Sequence, residues 1–234
     1  MDILNPTAAR AGAPAGPGAA PAPGRRPGLF RLIASDLRAK AEWNYGRASA
    51  GSLVKVLLTD GTAAMVWYRL MQWARRWRLV PLELLFNRVN TFYCNCVIGR
   101  GAEFGPGFVL VHGTGVVING GVRGGANVKL EHQVTIGAER QQSPVLGDRV
   151  FVGAGAKIVG PVTIGDDCRI GANAVVVHDI PAGATAVGIP AKVVRSRRNV
   201  EEIAPSPEAD EAVCGLLAVA TADSRESSWQ ATSK

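Results

Sequence analysis

The sequence predicts a mainly β protein, a parallel β-helix of six-residue repeats preceded by a small α-helical segment. The first observation is an apolar residue at every sixth position from residue 98 to residue 176, with one exception at Arg140. The second is that a glycine often follows this residue and a small residue often stands four places after it. Neither the helical period of 3.6 nor the strand period of 2 produces a step of six. Three hexapeptides make one coil of a triangular prism, in which stacked coils bury the apolar residues. The apolar members are Ile98, Phe104, Leu110, Val116, Val122, Val128, Val134, Leu146, Val152, Ile158, Ile164, Ile170 and Val176.

Four segments follow from the composition along the chain. Residues 1–28 are mostly Ala, Pro and Gly, lack the apolar core of a secretory signal, and are predicted to form a disordered tail. Residues 29–90 are the predicted helical segment and residues 91–194 the predicted β-helix. Residues 195–234 are polar and charged, and we expect a flexible tail.

Helices are predicted over residues 30–47, 52–58, 62–79 and 82–89, since apolar residues there recur at helical spacing and Gly or Pro separates the stretches. The third helix has two interpretations. Its apolar stripe could pack on neighbouring helices, or its mixture of Trp and Arg could lie on an anionic membrane surface. The stripe comprises Trp67, Leu70, Met71, Ala74 and Trp77.

The composition favours a cytoplasmic protein. No stretch reaches 18 uncharged apolar residues, so we expect no membrane-spanning helix. The net charge of +7 comes largely from short arginine clusters, which could attract an anionic cofactor or a lipid surface, or simply be solvated; we expect no nucleic-acid partner. The four cysteines make no disulfide framework, and Cys94-x-Cys96 lacks a second pair at zinc-ligand spacing, so we expect reduced thiols and no metal.

The repeat is interrupted at residues 140–144, where Arg140 takes an apolar position and Pro144 a small one. The break is either an extruded loop or one poor corner of the prism. Loops that leave a rigid scaffold often meet the substrate.

The repeat, together with the Val187-Gly-Ile-Pro-Ala-Lys-Val-Val ending, resembles the hexapeptide-repeat acyltransferases. Within them, His112-Gly-Thr-Gly-Val-Val-Ile and Val152-Gly-Ala-Gly-Ala-Lys-Ile are similar to the serine O-acetyltransferase branch. The likeness covers about residues 30–194. It implies a left-handed parallel β-helix, a homotrimer, and acetyl-CoA bound in the groove between neighbouring solenoids.

Three positions depart from that branch. Val97 stands where its members have an acidic residue fifteen positions before the histidine, and Gly120 stands where they have Glu. Ser143 replaces the His of their Arg-His-Pro loop. The acid that would orient His112 is therefore missing from its usual place, and so are charged groups for the serine zwitterion, which a small charged acceptor needs.

A narrower likeness is to the colanic-acid-type exopolysaccharide acetyltransferases, which share His132-Gln-Val-Thr-Ile-Gly, Asp36-Leu-Arg and the Tyr68-Arg69 pair. It implies transfer of acetyl to a sugar hydroxyl in exopolysaccharide biosynthesis. The acceptor would be a sugar or lipid-linked oligosaccharide at the inner face of the membrane. Two alternatives stay open, a serine acetyltransferase of cysteine biosynthesis and a non-catalytic solenoid scaffold.

Two of the three histidines are the predicted catalytic residues. An imidazole titrates near neutrality and can take the proton of an attacking hydroxyl, so His112 is the predicted general base. His132 lies little more than one coil away, where it could act in catalysis or acceptor binding, with Glu131 orienting it. No Ser or Cys lies in a nucleophile motif, which favours direct transfer in a ternary complex.

The resemblance also implies residues that bind acetyl-CoA. Backbone groups near Ala154 and Ala172 would hold the pantetheine arm, and Lys192 would meet the phosphates, as basic groups do. His178, in the last coil, would contact the cofactor. Lys192 as a solvated lysine and His178 as a surface residue are the alternatives.

Overall fold

The computed structural model describes residues 27–195, and in this range the chain forms four helices followed by a β-solenoid. The predicted tails over residues 1–28 and 195–234 lie outside the described residues, except for residues 27, 28 and 195. The helices are α1 (Leu29–Tyr45), α2 (Ala50–Leu57), α3 (Thr62–Arg76) and α4 (Val80–Cys94).

Local sequence explains where the helices begin and end. Gly46 ends α1 in a left-handed conformation with φ of 71°, which glycine adopts at little cost. Ser49 caps α2 through a reciprocal capping box with Ser52. Pro81 lies in the first turn of α4, where its missing N–H is harmless. The last helix continues to Cys94, beyond the predicted residue 89, and leads directly into the solenoid.

The buried face of α3 differs in part from the predicted stripe. Met71 and Ala74 are buried as expected, but Trp67 and Leu70 are only half-buried and Trp77 is 66% exposed. The helix ends at Arg76, so Trp77 no longer follows the helical periodicity. The buried positions of α3 are Thr62, Ala64, Met65, Tyr68, Arg69, Met71 and Ala74.

The solenoid consists of short strands in three parallel sheets. Sheet A has the order β1-β4-β7-β10-β13, sheet B β2-β5-β8-β11, and sheet C β3-β6-β9-β12-β14, with β15 added antiparallel to β14. This arrangement confirms the predicted parallel β-helix behind a helical segment. The strands are β1 (Val97–Ile98), β2 (Glu103–Phe104), β3 (Val109–Leu110), β4 (Val117–Ile118), β5 (Arg123–Gly124), β6 (Lys129–Leu130), β7 (Thr135–Gly137), β8 (Val145–Leu146), β9 (Phe151–Val152), β10 (Lys157–Val159), β11 (Thr163–Ile164), β12 (Arg169–Ile170), β13 (Val175–Val176), β14 (Thr185–Val187) and β15 (Lys192–Arg195).

All thirteen apolar members of the six-residue series are buried, yet the strand register shifts twice. After Leu110 the next inward strand residue is Ile118, which pairs with Ile98, so this corner holds two extra residues. After Ile136 the next is Leu146, so that corner holds four extra residues. The two insertions together equal one hexapeptide, and the step of six therefore resumes unchanged.

A buried ion pair fixes the helical segment to the solenoid. The Arg69 guanidinium donates from Nε and Nη2 to the Asp36 carboxylate, at 2.7 Å and 3.0 Å. It also donates to the carbonyls of Phe104 at 2.9 Å and Gly105 at 2.6 Å, while the Phe108 amide donates to Asp36 at 3.0 Å. Helices α1 and α3 are thus attached to the turn between β2 and β3.

Candidate active site

Four of the predicted site residues lie along one edge of the prism, where the chain passes from sheet C to sheet A. We call this corner the histidine edge. Each residue stands two places after a buried strand residue, and those strand residues are in register from coil to coil. Along the edge the Gly155 amide donates to the His132 carbonyl at 2.9 Å and the Asn173 amide to that of Ala154 at 2.8 Å. The four are His112, His132, Ala154 and Ala172.

The two catalytic candidates lie side by side on this edge. The ring centroids of His112 and His132 are 5.9 Å apart and their planes are inclined by 74°. Both side chains are about half exposed, at 54% and 47%. His132 stands four places after Val128, a small-residue position of the step of six, but the two-residue insertion before it shifts the register and places it at the exposed corner. Its Nδ1 lies 3.8 Å from the Glu131 carboxylate.

His112 has an acidic neighbour from outside the solenoid. Its Nδ1 lies 3.4 Å from Oδ2 of Asp60, in the turn between α2 and α3. No sequence pattern singles out Asp60, because an Asp-Gly pair between two helices is typical of an ordinary turn. The contact depends on how the helical segment docks, which no local spacing encodes.

Lys40 of α1 ties this turn to the strand before His112. Its Nζ donates to the backbone carbonyls of Asp60 and, at 2.8 Å, Leu110, and the side chain is fully buried. Burial lowers the pKa of Lys40 to about 8, while the Asp60 charge acts in the opposite direction. No sequence pattern marks this lysine as part of the site.

Lys192 lies at the end of the histidine edge. It pairs with Val187 of β14, and β14 stacks on β12, the strand that precedes Ala172. Its side chain is exposed. A basic group therefore follows the two alanines on the same side of the prism, and its contact with phosphates stays a prediction.

His178 lies on a different edge, where the chain passes from sheet A to sheet B after β13. Within one chain the structure does not bring it to the histidine edge. Ser143, one of the three departures from the serine-type pattern, shares the edge of His178 with Asn119. Ser143 Oγ is 3.1 Å from Asn119 Oδ1, to which it donates.

The interruption of the repeat is a short hairpin turn on that second edge. The backbones of Glu139 and Gln142 exchange two hydrogen bonds of 2.9 Å. Arg140 and Gln141 form the turn with φ of 47° and 69°. The four extra residues therefore leave the solenoid as a compact protrusion rather than as a long loop.

Among residues 27–195 there is no group of three or more His, Cys, Asp or Glu side chains that could hold a metal ion. In the same range Cys94, Cys96 and Cys168 are free thiols, and burial raises the pKa of Cys96 to about 12. Cys214 lies outside the described residues. None of the helices in the described part of the chain is long and apolar enough to cross a membrane.

The fold and the repeat define a hexapeptide-repeat transferase. Residues 143–178 match the family model described as bacterial transferase hexapeptide (six repeats). The chain belongs to the serine acetyltransferase family, since it is 37% identical over 174 residues to the serine acetyltransferase of Helicobacter pylori (strain J99), covering 73% of this chain and 96% of the relative. This membership confirms the prediction of an acyltransferase.

Two solved structures agree with this assignment. Soybean serine acetyltransferase complexed with serine has a TM-score of 0.65 and 33% identity, over 71% of this chain and 69% of that chain. A serine acetyltransferase complexed with CoA has a TM-score of 0.65 and 28% identity, over the same shares.

The prediction of a sugar acceptor in exopolysaccharide biosynthesis is wrong. The relatives and the solved structures carry the name serine acetyltransferase, and they give no support to a colanic-acid-type relationship. The structure explains why the likeness to exopolysaccharide acetyltransferases led to the wrong acceptor. Asp36, Tyr68 and Arg69 are buried and attach helices to the solenoid, so sharing them indicates a shared scaffold and says nothing about the acceptor.

Proposed function

We propose that this chain is a serine acetyltransferase, which transfers the acetyl group of acetyl-CoA to the hydroxyl of L-serine. The observation that carries the proposal is the pair of imidazoles, His112 and His132, on one exposed edge of the solenoid. The names of the relatives, and solved complexes of such relatives with serine and with CoA, support the choice of both substrates.

The geometry supports direct transfer with His112 as general base. Nδ1 of His112 faces Asp60, which leaves Nε2 to accept the serine hydroxyl proton. The serine oxygen then bonds to the thioester carbonyl carbon, giving a tetrahedral intermediate. When the C–S bond breaks, the carbonyl reforms and the imidazolium returns its proton to the departing sulfur. Products are O-acetylserine and CoA, and no proton is gained or lost overall.

The histidine edge also offers a path for the donor. At this edge Ala172 is exposed and Ala154 is half-buried, and backbone groups beside them would bind the amides of a pantetheine arm. Lys192, at the end of the edge, would bind the phosphates of CoA. The thioester end of the arm would then lie beside the two histidines.

A homotrimer would complete this site. Each solenoid has its histidine edge on one side of sheet A and the edge with His178 on the other side. In a ring of three solenoids, the His178 edge of one chain faces the histidine edge of the next, and His178 can then contact the same CoA. A serine acceptor is soluble and removes the reason for a location at a membrane, so we retain the cytoplasmic location.

Substitution of the base tests the function. We expect His112→Ala to lower kcat for acetyl transfer to L-serine by about 10²–10⁴-fold, because the hydroxyl proton then has no acceptor. The measurement is CoA thiol release with mass detection of O-acetylserine, with melting temperature and sedimentation as controls for fold and assembly. Wild-type protein that binds acetyl-CoA yet does not acetylate serine, or a fully active His112→Ala, would contradict the proposal.

A further inference from the structure

We propose that Asp60, contributed by the helical segment, is the positioning residue for His112 and takes the place of the acid that position 97 lacks. The inference rests on the proposed function for its catalytic consequence. Its structural part, a carboxylate that orients the His112 ring and stabilises its charged form, does not depend on the acceptor.

Asp60 and His112 are in direct contact. Oδ2 of Asp60 lies 3.4 Å from Nδ1 of His112, which is within ion-pair distance. Residue 97 is a valine with a 41% exposed side chain, and it can neither accept a proton nor pair with an imidazolium. Glu131, the other carboxylate at this edge, is paired with His132 rather than with His112.

The turn between α2 and α3 directs the Asp60 carboxylate towards His112. Oδ1 of Asp60 accepts the Gly61 amide at 2.7 Å, which leaves Oδ2 towards the histidine. Lys40 then holds the backbone of this turn against the Leu110 carbonyl, two residues before His112. The backbone of Asp60 is therefore held by Lys40, and the hydrogen bond from Gly61 restrains the rotation of its side chain.

Two glycines allow the backbone of this turn to approach the backbone of the histidine edge closely. Gly61 has φ of 77°, and a Cβ there would lie 2.5 Å from the Leu110 carbonyl oxygen and 3.1 Å from the Gly113 amide. Gly113 in turn packs against Gly61, where a Cβ would lie 3.2 Å from its Cα. Any larger residue would push the turn outwards and take Asp60 away from the ring.

The chemical role follows from these contacts. A carboxylate beside Nδ1 favours the tautomer that carries its proton on Nδ1 and leaves Nε2 free, and it stabilises the imidazolium formed during transfer. The other titratable groups that face this pair are Lys40 of α1, Glu131 and His132 of the next coil, and Cys94 at the end of α4. Of these, none is placed to give His112 a second anionic partner.

Asp60→Asn is the sharpest test, because the amide oxygen can still accept from Gly61 while the charge facing His112 is lost. We expect kcat with L-serine to fall by at least about 10-fold. KM for serine and acetyl-CoA should change less than 2-fold. Asp60→Glu should recover part of the loss. Asp166→Asn is the matched control, since its Oδ1 likewise accepts a turn amide, at 2.8 Å, and its side chain is 53% exposed.

A second readout keeps the inference separate from the acceptor. By ¹⁵N NMR the neutral ring of His112, assigned by its absence in His112→Ala, should carry its proton mainly on Nδ1 in the wild type and in Asp166→Asn, and should populate the other tautomer in Asp60→Asn. An unchanged tautomer together with wild-type kcat in Asp60→Asn would overturn the role of Asp60. Wild-type protein that is inactive with serine, but whose His112 tautomer still changes in Asp60→Asn, would overturn the acceptor and leave the role of Asp60 intact.

Discussion

Lys40 is a buried cation whose ligands are two backbone carbonyls rather than a side chain. Asp60 and Leu110 supply those carbonyls, and the nearest counter-charge is the Asp60 carboxylate. Because water is excluded, the charged form of the lysine is disfavoured and its pKa falls to about 8 from 10.5. The neutral amine still has two N–H groups, so it can keep both hydrogen bonds.

This burial gives a pH dependence of stability with a definite sign. Above pH 8 the folded state loses the Lys40 proton while the unfolded chain keeps it up to about pH 10.5, so the wild type gains stability as pH rises through this window. We expect Lys40→Met to be less stable by about 1–3 kcal/mol at pH 7, because two buried carbonyls lose their donor. This deficit should widen by a further 1–3 kcal/mol, roughly, towards pH 10.

Urea unfolding at pH 7, 8.5 and 10 measures this difference. Lys55→Met is the control, since Lys55 is exposed, and its unfolding free energy should stay parallel to that of the wild type. A deficit of Lys40→Met that shrinks with rising pH would contradict the buried-cation interpretation.

The candidate site was predictable only in part, and the residues show why. His112, His132, Ala154 and Ala172 follow from the repeat and the resemblance, because a solenoid converts sequence spacing into a straight edge. Asp60 and Lys40 do not, since both reach the edge through docking of helices that no repeat constrains. A sequence that lacks the expected acid at Val97 does not reveal that another element supplies one.

At the scale of elements, the attachment of α1 and α3 to the solenoid depends on one guanidinium. Arg69 connects Asp36 to two carbonyls of the β2–β3 turn, and both partners are almost fully buried. Removing one member of such a pair leaves an uncompensated buried charge, whereas removing both leaves no buried charge and costs only the hydrogen bonds to the backbone.

We therefore expect Arg69→Met to lower the free energy of unfolding by about 3–5 kcal/mol. The double variant Asp36→Leu with Arg69→Met should be more stable than Arg69→Met alone. Thermal and urea unfolding measure both. Arg75→Met is the control, because Arg75 is 53% exposed and its partner Glu83 keeps Arg100, so a change below about 1 kcal/mol is expected. Equal losses in the Arg69 and Arg75 variants would contradict the attachment role.

The fold was predictable in its architecture and less so in its register. The step of six identified the solenoid, and all thirteen apolar residues in that series are buried, but the insertions before Ile118 and before Leu146 add up to one hexapeptide and so leave no trace in the step. Val116, Val122, Val128 and Val134 are also buried, although they precede the inward strand residues by two places. Apolar residues occupy both positions, so periodicity alone cannot distinguish the two registers.

At the scale of the whole molecule, the separation of the two edges makes assembly testable. We expect sedimentation velocity to show a species of three chains. His178→Ala should keep that assembly and kcat, but raise KM for acetyl-CoA several-fold, because a neighbouring chain loses one contact with the donor. A monomer with full activity, or an unchanged KM in His178→Ala, would contradict the shared site.

The regular spacing of the strands along the histidine edge has a further consequence. Neighbouring strands lie about 4.8 Å apart, so the four steps from β6, which precedes His132, to β15, which carries Lys192, span roughly 19 Å. That interval can change only in whole strand steps, since the stacking distance is fixed by backbone hydrogen bonds. If Lys192 binds the phosphates of the donor as proposed, the number of coils sets how long a carrier must be to bring its acetyl group to the histidines.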